Sequence, residues 1–263
     1  MVKKYVGKPA KRIIEFIIGI LAPLILLLIW QLAADNGWMN KSVLPSVKKV
    51  VETGIKITAS GKLPGHLGAS FERVLIGFAI GAGLGLILGI LMGLSPFLHK
   101  FLSSLVNLLR PVPMIAWIPI FILWFGIGEI TKVFVIALGS FWPVLLNTIS
   151  GIKSVDTKLL EVTKVLNKNK ITVLTKVILP GAIPSIFTGI RLGIGAAWSC
   201  VVAAEMIAAT RGVGFMITYA RETAKPGEVF VGVIIIGVIG LLIDLVVRRI
   251  EKRLLKWNTE PKS

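Results

Sequence analysis

Apolar positions in this chain gather into six long runs separated by shorter polar stretches. Residues 17–34, 74–94, 101–124, 130–149, 182–206 and 229–247 each approach the roughly 20 residues that an α-helix needs to cross about 30 Å of hydrocarbon. The pattern predicts an all-α membrane protein with about six transmembrane helices in one membrane domain. The third run contains Pro111, Pro113 and Pro119. Each proline removes a backbone donor and clashes one turn back, so one straight helix is excluded there. Broken backbone at membrane depth survives where it is buried in protein or lines a wet cavity. The segment is therefore either the border of a pathway or a kinked packing helix. The first run follows a basic stretch, as a signal peptide would. It is too long for one and no small-residue cleavage site follows, so a retained helix is expected.

One polar stretch departs from a simple connection. Between the fourth and fifth runs, Leu159, Val162, Val165 and Leu166 fall at i, i+3, i+6 and i+7 and share a helical face. Glu161, Lys164 and Lys168 lie on or near the other face. After Asn167-Lys-Asn-Lys170, an apolar stripe resumes at Ile171, Leu174 and Ile178. A short amphipathic helix held at a membrane face needs a surface to dock against.

Small residues add packing information. Gly77, Gly81, Gly85, Gly89 and Gly93 recur every four residues in the second run, and Gly189 and Gly193 repeat the step in the fifth. Such a ridge lets another helix approach closely, which drives association in lipid. It serves either packing within a subunit or a seam along which helices slide.

Composition supports the membrane reading. Apolar residues make up 55% and charged residues 16%, against about 45–50% and 25% in soluble domains. Mean hydropathy is +0.85. The net charge of +17 flanks the apolar runs and lines no soluble face, which argues against nucleic acid as a partner. Cys200 alone permits no intrachain disulfide, and His66 and His99 are far apart in sequence, so no metal site is expected.

Lysine and arginine set the orientation. Lys3, Lys4, Lys8, Lys11 and Arg12 precede the first run. Arg248, Arg249, Lys252, Arg253, Lys256 and Lys262 follow the last, and six lysines occupy 152–180. The positive-inside rule then places both termini and the 152–180 loop in the cytoplasm. Residues 35–73 carry Lys41, Lys48, Lys49, Lys56, Lys62 and Arg73 on the outer side; that loop is long, which weakens the rule there.

Ionisable residues inside spans are costly and often functional. Arg191 and Glu205 stand 14 residues apart in the fifth run, about 21 Å along a helix, so they do not pair with each other. Trp198 lies midway. Glu205 is expected to face a pore, pair with another subunit or reach the outer interface. Asp244 and Arg248 are spaced for a local i, i+4 ion pair. No phosphate-binding glycine loop, nucleophilic triad or inverted repeat is present, so the chain is expected not to be an enzyme.

The 161–180 segment resembles the EAA loop of bacterial ABC importer permeases, whose pattern is Glu-Ala-Ala, three residues, Gly, nine residues, Ile-x-Leu-Pro. Glu161, Leu179 and Pro180 match at that spacing; Val162, Thr163, Asn167 and Val177 depart from it. Asn is the next best residue to Gly for a left-handed turn. Residues 66–78, 110–119 and 122–129, Thr188-Gly-Ile-Arg-Leu-Gly193, Ala197-Trp198 and Ala203-Ala-Glu-Met206 resemble the branch importing nitrate, taurine and aliphatic sulfonates.

The resemblance implies a type I importer permease fold like that of methionine permeases. It divides the chain into 1–65 (first helix and outer loop), 66–250 (transmembrane domain with a coupling loop at 155–180) and 251–263 (cytoplasmic tail). It implies a pore of two copies in a bacterial or archaeal inner membrane, separate ATPase subunits that hold ATP and magnesium, and an extracytoplasmic solute-binding protein. No cofactor is expected on this chain. A helix over 156–170 would seat in the ATPase, the coupling residues being Leu159, Glu161, Val162, Val165, Leu166 and Asn167 there and Leu179 and Pro180 at the end of the loop. Pro113, Trp117, Arg191, Trp198 and Glu205 would border the pathway. Residues 211–221 would lie near the outer pore mouth, either contacting the binding protein or as an interfacial helix without that role. The solute would be nitrate, taurine or another sulfonate, or another small molecule such as a vitamin precursor. A stand-alone secondary carrier and a membrane anchor that passes nothing are the competing readings.

Overall fold

The computed structural model describes residues 8–40 and 42–255, and every regular element among them is a helix. In order these are α1 (Lys8–Asp35), α2 (Val47–Ala59), α3 (Lys62–Leu94), α4 (Pro96–Leu109), α5 (Met114–Phe125), α6 (Glu129–Lys153), α7 (Thr157–Val165) and α8 (Lys170–Val173). A π-helical turn (Leu174–Ile178) leads into α9 (Leu179–Ala208), followed by α10 (Val213–Glu222) and α11 (Pro226–Leu254). Lys3, Lys4, Lys41, Lys256 and Lys262 lie outside the described residues.

The six apolar runs appear as four long spans, one broken pair and one shorter apolar helix. α3, α6, α11 and the helical stretch Lys170–Ala208 are each long and apolar enough to cross a membrane. α4 and α5 qualify only together and meet at 96°, with the break at Arg110–Pro113. The proline cluster dictates that break, as expected. Gly19–Asp35 is the shorter apolar part of α1. The division at residues 65 and 66 falls inside α3, which starts earlier than its apolar run because Lys62–Arg73 continues the same helix. Pro64 sits in the first turn, where its missing donor costs nothing.

α6 is the centre of the bundle. The glycine ridge of α3 lies directly against it. A Cβ added at Gly85 would come within 2.8 Å of Phe141 O, at Gly89 within 2.7 Å of Thr148 Cβ, and at Gly93 within 2.9 Å of Ile152 Cβ. From the other side, Gly189 of α9 would meet Asn147 Cβ at 2.8 Å and Gly193 would meet Ser140 O at 3.1 Å. The ridges thus pack three helices of one chain with their backbones close. Close dispersion contact is what holds helices together where lipid removes the hydrophobic drive.

Three apolar clusters bring α2, α4, α5, α10 and α11 into the bundle. Ile118 and Phe121 of α5 join Val74, Val135, Ile136, Trp198 and Val201. Val106 of α4 joins Met92, Trp142, Leu145 and Ile149. Val50 and Ile57 of α2 pack with Leu63, Val213, Met216, Ile217 and Val231, so α2, α10 and α11 meet at the end of the bundle away from α7. α2 is amphipathic and starts at Ser46, whose hydroxyl accepts from Lys49 N.

Candidate functional site

At one end of the bundle stands α7. Asp156 caps its start, accepting from Lys158 N at 2.9 Å. Its end is a Schellman turn: Asn167 N donates to Lys164 O and Lys168 N to Thr163 O, both at 3.0 Å. The turn needs a left-handed residue, and Asn167 supplies it with φ +48°. The helix is therefore shorter than the expected 156–170, because the Asn167 turn stops it at Val165. Asn169 then caps α8 by accepting from Thr172 N.

The apolar stripe of α7 faces outward. Leu159, Val162 and Leu166 are more than half exposed, and Val165 is 82% exposed. Glu161 is exposed beside them, whereas Leu160 and Thr163 turn inward. Leu179 and Pro180 open α9 and are half-buried, so they anchor the loop to the bundle and add nothing to that outward face.

The broken segment places Pro113 as the residue capping α5 and Trp117 one turn further on. The Trp117 indole stacks near Phe121, and its buried N–H has no hydrogen-bond partner. Ile115, Leu123, Trp124 and Ile127 around it are exposed.

The other three pathway expectations land on internal contacts. Arg191 Nη1 pairs with Glu251 of α11 at 3.1 Å. Trp198 is buried and donates to Ile236 O at 3.0 Å. Glu205 is 1% exposed and sits in a polar knot at the α10 end. Its carboxylate accepts from Ser70 Oγ at 2.8 Å, Arg73 Nη1 at 2.7 Å and Gly214 N at 3.0 Å. The polar atoms of Trp198 and Glu205 are thus engaged by partners inside the chain.

Arg73 is the hub of that knot. Its Nε and Nη2 hold Glu129 of α6 in a fork at 2.6 and 2.8 Å, and Nη1 also donates to Arg211 O at 2.6 Å. Lys132 Nζ completes the cluster on Glu129 at 2.7 Å. Gly212, at φ +127°, turns the chain so that Gly212 N reaches His66 Nδ1 and Val213 N reaches Ser70 Oγ. One arginine therefore ties α3, α6, α9 and the approach to α10. Sequence reading assigned no role to Arg73 or Glu129. The available signal was the cost of an arginine in an apolar helix, which demands a partner.

Comparisons agree with this architecture. The family model described as "Binding-protein-dependent transport system inner membrane component" matches residues 81–256. The chain is 44% identical to the SsuC permease protein of Bacillus subtilis (strain 168), named for aliphatic sulfonates transport, over 95% of this chain and 91% of that one. It is 38% identical to the taurine transport system permease protein TauC of Escherichia coli (strain K12), over 96% and 93%. Its fold matches a solved inward-facing form of the MetNI methionine ABC transporter with TM-score 0.58 and 19% identity, covering 73% of this chain and 94% of that one. With a family match over two thirds of its length and relatives aligned nearly end to end, the chain belongs to the binding-protein-dependent transport system inner membrane component family, as an ABC importer permease of the branch that holds the sulfonate, taurine and nitrate permeases.

Proposed function

We propose that this chain forms half of the membrane pathway of an ATP-driven importer for a small oxyanion, a sulfonate such as taurine or else nitrate. α7 is the segment that seats in a separate cytoplasmic ATPase, which holds ATP and magnesium. The observation that carries this reading is the outward face of α7: Leu159, Val162, Val165 and Leu166 are exposed on a helix capped at both ends, from which the chain runs through α8 and the π-helical turn into α9. Apolar side chains in that state gain free energy only when a partner covers them. Glu161 beside them sets register by charge.

On this reading both termini and α7 lie in the cytoplasm, which the basic segments flanking the apolar runs support, and α10 lies outside near the docked binding protein. A second copy meeting the broken segment would enclose a path between the two chains, bordered by Pro113 and Trp117, with Arg191 nearer its inner end. ATP-driven closure of the ATPase pair would move α7 as a rigid body and, through α9, the bundle.

The test is co-purification of the chain with an ATPase subunit and a binding protein, then hydrolysis in lipid. A stable complex whose hydrolysis rises with loaded binding protein supports the reading. A chain that binds no ATPase and still moves solute is instead a secondary carrier.

A further inference from the structure

α7 has a second face, and it also looks onto open space. Between α7, α8, the π-helical turn and the last residue of α3 lies a cleft of about 570 Å³. Its floor is apolar: Leu94, Leu160, Val173, Leu174 and Ile178. Its rim is basic: Lys164, Lys168 and Lys170. No carboxylate lines it, and among the described residues none of the three lysines makes an ion pair. Three like charges held together this way repel one another unless an anion joins them.

We propose that this cleft binds an anionic phospholipid, with the phosphate on the lysine rim and the acyl chains along the floor. Depth favours a lipid over a free anion. Leu94 ends a membrane-spanning helix, so the cleft opens where hydrocarbon gives way to headgroups. A free phosphate would leave the floor wet, whereas an amphiphile covers both parts. Basic pockets at the cytoplasmic ends of spanning helices recognise such headgroups.

Geometry also separates this site from the ATPase face. Leu160, Thr163 and Lys164 line the cleft, while Leu159, Val162 and Val165 point away from it. Lipid and ATPase therefore bind opposite sides of one helix. The π-helical turn forms a wall of the cleft and joins α8 to α9. Single π turns interrupt helices at functional positions. A lipid wedged there would fix the angle at which α7 is offered. The inference rests on the proposed cytoplasmic location of α7.

The experiment takes the full chain from vesicles of equal parts phosphatidylcholine and phosphatidylglycerol and reads retained lipid by native mass spectrometry. The expected result is phosphatidylglycerol enriched on the order of tenfold or more over phosphatidylcholine. Enrichment should vanish in K164Q/K168Q/K170Q, return when the same three are arginine, and persist in K153Q/K158Q/K252Q, which removes equal charge away from the cleft. The single exposed change Lys168→Gln should give partial loss. Equal retention of the two lipids, or equal loss in both glutamine triples, would overturn the proposal. So would displacement by inorganic phosphate, which marks a free-anion site, or by added ATPase, which marks the cleft as ATPase footprint. Lipid binding is read without transport, so its failure leaves the importer reading to its own test.

Discussion

The two ends of the bundle treat the same kinds of side chain in opposite ways. At the α10 end, charged residues are taken out of water and tied together: Glu205 is 1% exposed and Arg73 6%. At the α7 end, apolar residues are left in the open, with Val165 at 82%. Both arrangements cost free energy in an isolated chain. At the α10 end, the cost is offset within the chain by the hydrogen bonds of Arg73, Ser70 and Gly214. At the α7 end, nothing among the described residues offsets it. A closed end makes a fixed point of the fold, and an open end makes a place for a partner.

That contrast is sharpest at Glu205. Glu205→Ala leaves Arg73 partly unpaired in a dry site and should destabilise the chain by about 3–5 kcal/mol. Thermal unfolding in detergent would show it. A change inside measurement error would mean that water already reaches the knot. Glu205→Gln, which keeps the shape and removes the charge, should fall between that variant and the natural chain.

On the open end, replacing both Val165 and Leu166 by Asp should leave the unfolding temperature unaltered. It should weaken ATPase binding by about 2 kcal/mol or more, roughly 30-fold. Unchanged affinity, measured on the purified subunits, would show that this face is not the docking surface.

A smaller effect is expected at the turn between these faces. Asn167→Ala forces an alanine into the left-handed region and should cost roughly 1 kcal/mol of local stability. Hydrogen exchange at Asn167 and Lys168, which close the Schellman turn, would report it.

The exposed Asp244–Arg248 pair sets the lower end of the scale. It has the expected spacing and a distance of 2.7 Å. Asp244→Asn should change stability by less than about 1 kcal/mol, because the pair lies near the inner end of α11, where the long Arg248 side chain carries it toward headgroup water. A larger loss would show that a charge near the end of α11 does more than its exposed geometry indicates.

Much of this protein is legible from local pattern. The membrane class follows from run length, because covering about 30 Å of hydrocarbon demands roughly 20 apolar residues. The 96° break follows from Pro111 and Pro113, because their backbone chemistry is local. The left-handed turn at Asn167 and the stripe of Leu159, Val162 and Val165 follow from short-range periodicity.

Tertiary structure decided the rest, because it concerns which distant residues meet. Periodicity marks the glycine ridge of α3 but not its partner, and the fold shows α6 held from both sides in a single chain. Arg73 and Glu205 are 132 residues apart, and no spacing rule links them. Their pairing gives Glu205 an internal role that its position inside an apolar run did not reveal. A sequence fixes which groups must find partners or lie in lipid. Only the packing of helices, set by where backbones come close, determines which partner each one finds.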